Sequence, residues 1–367
     1  MATSTMPDSD KVPFQASQGS YRLAHVSSSN WFRPGRQTCV PAHLLRFLSK
    51  GLSRRLPHVK RKLYRLLFIS TLLCTVEFAL GALAQTAPNL PSTTLLMCGG
   101  AEVVEARLVV DQGRHRLQET WHWRPEESAG LPTKMMRKFV TTDDCKTVSG
   151  GKEVLITSSG DAVALVSHET GATLFYAEVK NAHSADLLPE GLIAVASSND
   201  PLKQGDRILL FDRRTSEAPV FELPLEAAHG VVWDRKRQVL WALGGASILK
   251  LRIDRSGPKP TLVTENKLSL PAREGHDLQL AADCSSLYIT NTKAVFKLDP
   301  DRLEFSSFEP FRGRGEIKSL SIQPDTGQIA YTQADPGVWW TYTVHFIGPE
   351  YEISLPSMIY KVRWAAH

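Results

Sequence analysis

The sequence lacks the short motifs by which many enzymes are recognised. It contains no glycine-rich phosphate loop, nucleophile elbow, metalloprotease histidine pair or calcium-binding loop. Cysteine is scarce, and the three cysteines after residue 85, Cys98, Cys145 and Cys284, show no zinc or redox spacing. These absences argue against the common nucleotide-hydrolysing, serine-hydrolase and zinc-motif classes, and they favour buried single thiols over a disulfide.

The net charge of +5 does not indicate nucleic-acid binding, because many basic residues are grouped between Arg54 and Arg65. An apolar run, LLFISTLLCTVEFALGAL, follows them and ends in small residues, as a signal peptidase requires. We therefore interpret residues 59–84 as a signal peptide cleaved after Ala84, with residues 85–92 as a linker. A membrane anchor is the alternative, but Glu77 at bilayer depth would cost about 2.5 to 3.5 kcal/mol.

Residues 1–58 are rich in Ser, Pro, Gln and Arg and show no sustained hydrophobic period. They are interpreted either as a disordered segment or as an extension from a misassigned start. In the second case, initiation at Leu56 or Val59 on a non-Met codon would give a signal of ordinary length. The protein is expected to be secreted or periplasmic and monomeric, with no nucleic-acid partner and no membrane association after cleavage.

Five segments from Asp144 onward repeat one strand pattern. Each has a polar or His-bearing start, a short alternating strand, an apolar strand ending in small residues, and two further strands. The intervals between equivalent positions are 38, 46, 47, 41 and 43 residues, close to the period of about 40 to 45 residues of a four-stranded propeller blade. The positions compared are Cys145, His183, His229, His276, Ile317 and Tyr360. An all-β fold is predicted.

The two ends of this region complement each other. Thr94 to Trp123 supplies three strands without an innermost one, and the C-terminal segment MIYKVRW supplies an innermost strand without its neighbours. Residues 93–367 are therefore predicted to form a single six-bladed β-propeller, closed by pairing of the N- and C-terminal strands. A pair of β-sandwiches or an open solenoid is the alternative, and the complementary ends argue against both.

Propellers gather the starts of their innermost strands around a central channel, so equivalent residues converge on one mouth. The Lys and Arg side chains give this mouth a basic character that suits a carboxylate or a phosphate. The candidate ligand-binding residues are Asp144, Lys146, His183, His229, His276, Asp277, Lys318, Lys361 and Arg363.

The three histidines at one blade position allow three interpretations. His183, His229 and His276 could hold a divalent metal, contact a ligand without metal, or hydrogen-bond a neighbouring blade. Separately, Trp339 and Trp340 are adjacent and cannot both face inward on one strand, so one of them is predicted to be an exposed aromatic.

The segments AHSADLLPEGLIAVASS, AAHGVVWD, VLWALGG and YKVRW resemble a bacterial secreted six-bladed β-propeller family of unknown function. The resemblance implies the fold and export but no activity. More distantly, the architecture is similar to gluconolactonase-like and oligogalacturonate-lyase propellers, which act at the channel mouth. The cationic ring departs from the calcium ligands of the first group, and the motifs of the second are not matched.

We therefore predict an exported propeller that binds an anionic small molecule, glycan or protein partner at the basic mouth. The alternative is an exported carbohydrate-active enzyme of the uronide lyase or lactonase type. In that enzyme, the three histidines would hold a metal or act as base, and Lys146 or Arg363 would neutralise a carboxylate. A third possibility is a structural interaction module with an occluded channel.

Overall fold

The computed structural model describes residues 93–198 and 205–365. The predicted N-terminal extension, signal peptide and linker (residues 1–58, 59–84 and 85–92) lie outside the described residues. The described part confirms the all-β prediction. It contains one short helix, α1 (Thr133–Met136), and 3-10 turns at Pro125–Glu127, Pro189–Gly191 and Glu309–Phe311. None of the described helices is long and apolar enough to cross a membrane.

The described part begins with three strands and then forms four antiparallel sheets of four strands each, in chain order. The first strands are β1 (Thr94–Gly99), β2 (Val103–Asp111) and β3 (Arg114–Trp123). The first sheet contains β4 (Thr142–Val148), β5 (Glu153–Ser158), β6 (Ala162–Ser167) and β7 (Thr173–Glu178). The second contains β8 (Ala182–Leu187), β9 (Leu192–Ser197), β10 (Arg207–Asp212) and β11 (Phe221–Pro224).

The next two sheets follow the same order. The third contains β12 (Gly230–Asp234), β13 (Val239–Leu243), β14 (Ser247–Asp254) and β15 (Thr261–Ser269). The fourth contains β16 (Gly275–Leu280), β17 (Leu287–Asn291), β18 (Val295–Asp299) and β19 (Glu304–Ser307). The last strands are β20 (Ile317–Ile322), β21 (Ile329–Gln333), β22 (Thr341–Ile347) and β23 (Tyr351–Trp364).

Strand β23 is long enough to serve two groups of strands. Its first residues pair with β22, with Ile353 opposite Val344, and its last residues pair with β1, with Trp364 opposite Leu95. The resulting sheet has seven strands in the order β20-β21-β22-β23-β1-β2-β3. The first strands of the described chain and its last strand therefore belong to one sheet.

Short acidic turns explain why the chain reverses between strands. Asp234 accepts the N–H groups of Lys236 and Arg237 at 3.0 Å each, directly after β12. Asp299 does the same for Asp301 and Arg302 after β18, at 2.9 Å each. An Asp side chain that hydrogen-bonds the backbone two or three residues ahead stabilises a turn.

Besides the four sheets, β20 to β23 form a fifth group of strands, and β23 with β1 to β3 forms a sixth group that starts with β23. The first strand of each group contacts the first strand of the next group. The contacts run from β4 to β8, β12, β16, β20 and β23, and β23 contacts β4. Apolar side chains fill the space between successive groups; Trp241 and Leu278, for example, pack between the third and fourth sheets. Burial of one such side chain stabilises the fold by about 1.5 to 3 kcal/mol. The core therefore lies between sheets, and the contacts between first strands follow a cyclic order.

Candidate functional site

A β-bulge occurs near the start of the first strand in nearly every group. The pairing of β4 with β5 passes from Thr142 to Asp144, which leaves Asp143 without a partner residue. Each of the other bulges also leaves one residue unpaired. These residues are His183 in β8, His276 in β16, Lys318 in β20 and Tyr360 in β23. A bulge re-aims the side chain of its extra residue.

His229 occupies the same place in the third sheet. It directly precedes Gly230, and its N–H donates to the carbonyl of Leu243 at 2.9 Å. Six successive first strands thus each provide one side chain at an equivalent position, which we call the bulge ring. Its members are Asp143, His183, His229, His276, Lys318 and Tyr360.

This register corrects two of the six residues that the sequence analysis treats as equivalent. Cys145 is paired regularly with Ile156, and Ile317 with Gln333, so neither is the bulged residue of its strand. Asp143 and Lys318 take their places. The intervals between ring members then become 40, 46, 47, 42 and 42 residues, by subtraction of residue numbers.

Neighbouring members of the bulge ring contact one another in chain order. The Nδ1 atom of His183 lies 3.2 Å from a carboxylate oxygen of Asp143. The rings of His183 and His229 stack with centroids 4.2 Å apart, and His229 meets His276 edge-on at 5.9 Å. The Lys318 ammonium lies 3.1 Å from Nε2 of His276. The side chains from Asp143 to Lys318 therefore form one continuous series of contacts.

The hydrogen bonds of His276 determine which nitrogen carries its proton. The Lys318 ammonium can only donate, so Nε2 of His276 accepts, and the hydroxyl of Thr292 is also 3.1 Å from this atom. Burial, followed by the charges of Lys318 and Lys361, lowers the pKa of His276 to about 3. At neutral pH the proton is therefore on Nδ1, which is buried and has no hydrogen-bond partner among the described residues.

His229 presents the opposite hydrogen-bonding character. Its Nδ1 atom lies 3.1 Å from the carbonyl oxygen of Ala227, which can only accept, so Nδ1 carries the proton. Burial, and then the neighbouring His183 and His276, hold the pKa of His229 well below its usual value. Its Nε2 is therefore a lone-pair acceptor at neutral pH. The pair supplies one donor, on His276, and one acceptor, on His229.

A cavity of about 360 Å³ lies beside these two imidazoles. Gly245 and Gly275 contribute to its wall, and its rim includes Arg273, which pairs with Glu226 at 3.2 Å. Both rim side chains are 72% exposed, so the cavity connects the histidine pair to the surface.

Five of the predicted residues form a separate buried cluster, which we call the ionic lattice. Arg363 binds Asp277 through both terminal nitrogens, at 2.8 and 2.7 Å, and reaches Asp144 at 2.9 Å. Lys361 lies 3.3 Å from Asp277, and Lys146 lies 3.5 Å from Asp144. The side chain of Lys361 is 0% exposed, and those of Asp144 and Asp277 are 2% exposed.

The lattice compensates all but one of its charges, because its three cations face two carboxylates. Burial alone would raise the pKa of Asp144, but Lys361, Arg363 and Lys146 outweigh it and lower that pKa below its ordinary range. Lys318, outside the lattice, pairs with Glu316 at 3.1 Å. The nine predicted residues thus fall into the bulge ring and the ionic lattice, and their cations are paired with acids.

The three histidines do not form a metal-binding geometry. Stacked imidazoles present ring faces to each other, whereas metal ligation requires converging nitrogen lone pairs. Within residues 93–198 and 205–365, no group of three or more His, Cys, Asp or Glu side chains could hold a metal ion. A bound divalent metal stays a prediction that this arrangement does not support.

Trp339 is the exposed aromatic of the adjacent pair. Its side chain is 37% exposed, while Trp340 is partly buried, which confirms the prediction that one of the two faces outward. The Trp339 ring contacts Tyr360 of the bulge ring edge-on, with centroids 5.2 Å apart. An exposed indole therefore adjoins the ring of bulged residues.

No curated protein matches the chain. The profile of a family of unknown function (DUF6528) matches residues 60–366, a region that contains every member of the bulge ring and of the ionic lattice. Because this match covers most of the sequence, the chain belongs to the DUF6528 family.

Proposed function

We propose that the chain is an exported, closed six-bladed propeller that binds a polar ligand at the bulge ring. Four separate sheets and the two groups that share β23 would be the six blades. The cyclic contacts of the first strands and the pairing of β1 with β23 support closure. Export rests on residues 59–84, and N-terminal sequencing of the exported protein should find Gln85 first.

The donor and acceptor pair beside the cavity carries the ligand proposal. His276 offers a buried N–H without a partner, and His229, whose ring centroid is 5.9 Å away, offers a lone pair. An unsatisfied buried donor costs about 1 to 3 kcal/mol, so a group that bonds it is favoured. A hydroxyl group can accept from His276 and donate to His229 at the same time. The ligand class that fits best is a hydroxylated small molecule or glycan.

The charge expected of the ligand is smaller than the sequence indicates. Lys361 and Arg363 are committed to Asp144 and Asp277, so they are not available to an incoming carboxylate or phosphate. Lys318 is the cation of the ring itself. We propose a ligand that is uncharged or carries at most one acidic group, which would face Lys318.

An exported carbohydrate-active enzyme is the second candidate, and one observation favours it. The carboxylate of Asp143 lies 3.2 Å from Nδ1 of His183 without the alignment of a hydrogen bond, and a small rotation of the ring would let it orient the imidazole as a general base. Lys146 and Arg363 both bind Asp144, which argues against the expected role of either in neutralising a substrate carboxylate.

Ligand-dependent thermal stability tests the proposal. The secreted protein, His276→Gln and His229→Gln would be screened against polyols, sugars, uronic acids, sugar phosphates and organic acids. A ligand present at one hundred times its Kd stabilises the folded state by about 2.7 kcal/mol. We expect a hydroxylated compound to raise the Tm of the wild type but of neither variant.

The matched control is His115→Gln, which changes an exposed histidine on β3. It should respond to the ligand as the wild type does. A ligand that stabilises both ring variants as strongly as the wild type would overturn the proposed site. Mass spectrometry of the incubated ligand decides between binding and turnover, since the enzyme hypothesis requires a product.

A further inference from the structure

We infer that the ligand is an uncharged oligosaccharide that stacks one pyranose on Trp339 and places hydroxyls of another in the cavity beside His229 and His276. This inference rests on the proposed function, because it names the ligand of the same ring.

Trp339 has the properties of a fixed stacking platform. It lies in the connection between β21 and β22, which is tied by a hydrogen bond from Asp335 N–H to the Trp340 carbonyl at 2.9 Å. The Thr341 hydroxyl also donates to the Asp335 carboxylate at 2.9 Å. A rigid, exposed aromatic side chain provides contact area at a low cost in conformational entropy.

The neighbours of Trp339 hold its indole edge-on. Tyr360 and Trp340 meet it at interplanar angles of 85° and 83°, with centroids 5.2 and 5.0 Å away. Both contacts are of the edge-to-face type, and 37% of the side chain stays exposed. The apolar C–H face of a pyranose is complementary to such an aromatic ring, while its hydroxyl groups remain free for polar contacts.

The platform and the cavity lie at different positions on the bulge ring. Trp339 adjoins Tyr360, the sixth member in chain order, whereas the cavity adjoins His229 and His276, the third and fourth members. Lys318 is the member between them. A monosaccharide at the cavity therefore does not reach the indole, and a ligand that touches both features extends across the ring.

Charge argues for a sugar over a nucleotide, which could also stack on an indole. A nucleotide phosphate needs a cationic partner, but Arg363 and Lys361 are neutralised by Asp144 and Asp277. The Lys318 side chain is 8% exposed and already pairs with Glu316. The remaining cation, the exposed Arg273 at the cavity rim, is paired with Glu226, so the site offers hydroxyl-compatible donors and acceptors but little unpaired positive charge.

Affinity as a function of chain length tests this inference. The secreted full chain would be titrated calorimetrically with cello-, manno- and xylo-oligosaccharides of one to four units, and with trigalacturonate as the charged counterpart. We expect at least one uncharged series to gain about tenfold in affinity between the monosaccharide and the trisaccharide, as an aromatic hot spot provides. Trigalacturonate should bind no better than the uncharged trisaccharide.

Two variants separate the platform from the cavity. Trp339→Ala should retain monosaccharide binding and lose the gain with chain length, whereas His276→Gln should weaken binding at every length. The matched control is Tyr342→Ala, an aromatic residue on β22 that is 47% exposed, and it should behave as the wild type. Circular dichroism and Tm values equal to those of the wild type show that Trp339→Ala is folded.

Three results would contradict the inference, each in a different way. If affinity increased with chain length equally in Trp339→Ala and in the wild type, Trp339 would not be a stacking platform. Binding of a nucleoside, an organic acid or another non-carbohydrate that depends on the bulge ring would contradict the oligosaccharide inference but would leave the proposed function in place. Binding of no probe, and of no compound that depends on His229 or His276, would overturn both.

Discussion

Replacing Arg363 by methionine should destabilise the protein strongly. Arg363 makes three charge-assisted hydrogen bonds of 2.7 to 2.9 Å to Asp277 and Asp144, both of which are almost completely buried. Methionine has a similar length but leaves Lys361 and Lys146 as the cations that face these carboxylates. Removing one partner of a buried ion pair costs about 3 to 5 kcal/mol, and equilibrium unfolding in urea at pH 7 measures this loss.

The cost should depend on pH in a defined direction. In the wild type the pKa of Asp144 is lowered, so its stabilising contribution is present above an unfolded-state pKa of about 3.9 and is lost as the pH falls below it. In Arg363→Met the carboxylates have lost a cation, and protonating them relieves the penalty. The difference in unfolding free energy between wild type and variant should therefore shrink from pH 7 towards pH 4.

Two further variants show whether the lattice causes the effect. Arg214→Met removes an arginine that also binds an aspartate, Asp212, but whose side chain is 79% exposed, so it should unfold with the wild type. Arg363→Met combined with Asp277→Asn removes one of the stranded charges and should recover part of the loss. The reasoning is refuted if Arg363→Met unfolds like Arg214→Met, or if its penalty is the same at pH 4 and pH 7.

His276→Gln should flatten the acid side of the stability profile. As the pH falls from the unfolded-state pKa of about 6.5 towards the folded-state pKa of about 3, His276 takes up a proton only in the unfolded chain, so the wild type loses stability. Urea unfolding from pH 7 to pH 4 measures this loss. The Cys98 thiol, whose pKa is raised by burial, should resist iodoacetamide at pH 8 in native protein and react in urea, and peptide mapping detects this. Gly99→Ala should destabilise the fold by about 1 to 3 kcal/mol, because its Cβ would clash with the backbone of Met358. The Cβ of Gly100→Ala would lie 3.5 Å from the flexible end of the Met358 side chain, so this variant should be nearly neutral in thermal unfolding. Equal Tm values for the two glycine variants would contradict the register of β1 and β23.

The strands could be predicted because their signals are local. The segments beginning at Ala182 and Gly275 alternate apolar and polar residues, and each forms the first strand of its sheet. These inferences need only the residues within one strand. One exposed residue in the pair Trp339 and Trp340 was also expected, but on a strand, whereas both residues lie in the connection between β21 and β22.

The members of the bulge ring could not all be identified from the sequence, because a bulge is defined by the pairing of two strands. Asp143 and Asp144 look equivalent in the sequence, and only the pairing of β4 with β5 shows that Asp143 is the extra residue. His183 and His276 were found because histidine at one blade position is conspicuous. A doubled acid at the start of β4 was the available signal for Asp143.

The charge of the site was the least predictable property. Counting Lys146, Lys361 and Arg363 gives a basic mouth, but the chain order does not show which acids these cations meet across the axis. A close pair such as Arg363 and Asp144 cancels most of its field. The electrostatic character of the mouth therefore depends on distances that only the assembled structure supplies.

The ionic lattice also has a consequence for the order in which the chain can mature. Arg363 is synthesised 219 residues after Asp144 and 86 residues after Asp277. Individual sheets form from neighbouring residues, but the two aspartates lack this counter-charge until the segment around Arg363 has emerged. We expect an incomplete nascent chain to be protease-sensitive, and resistance to proteolysis to arise in a single late step.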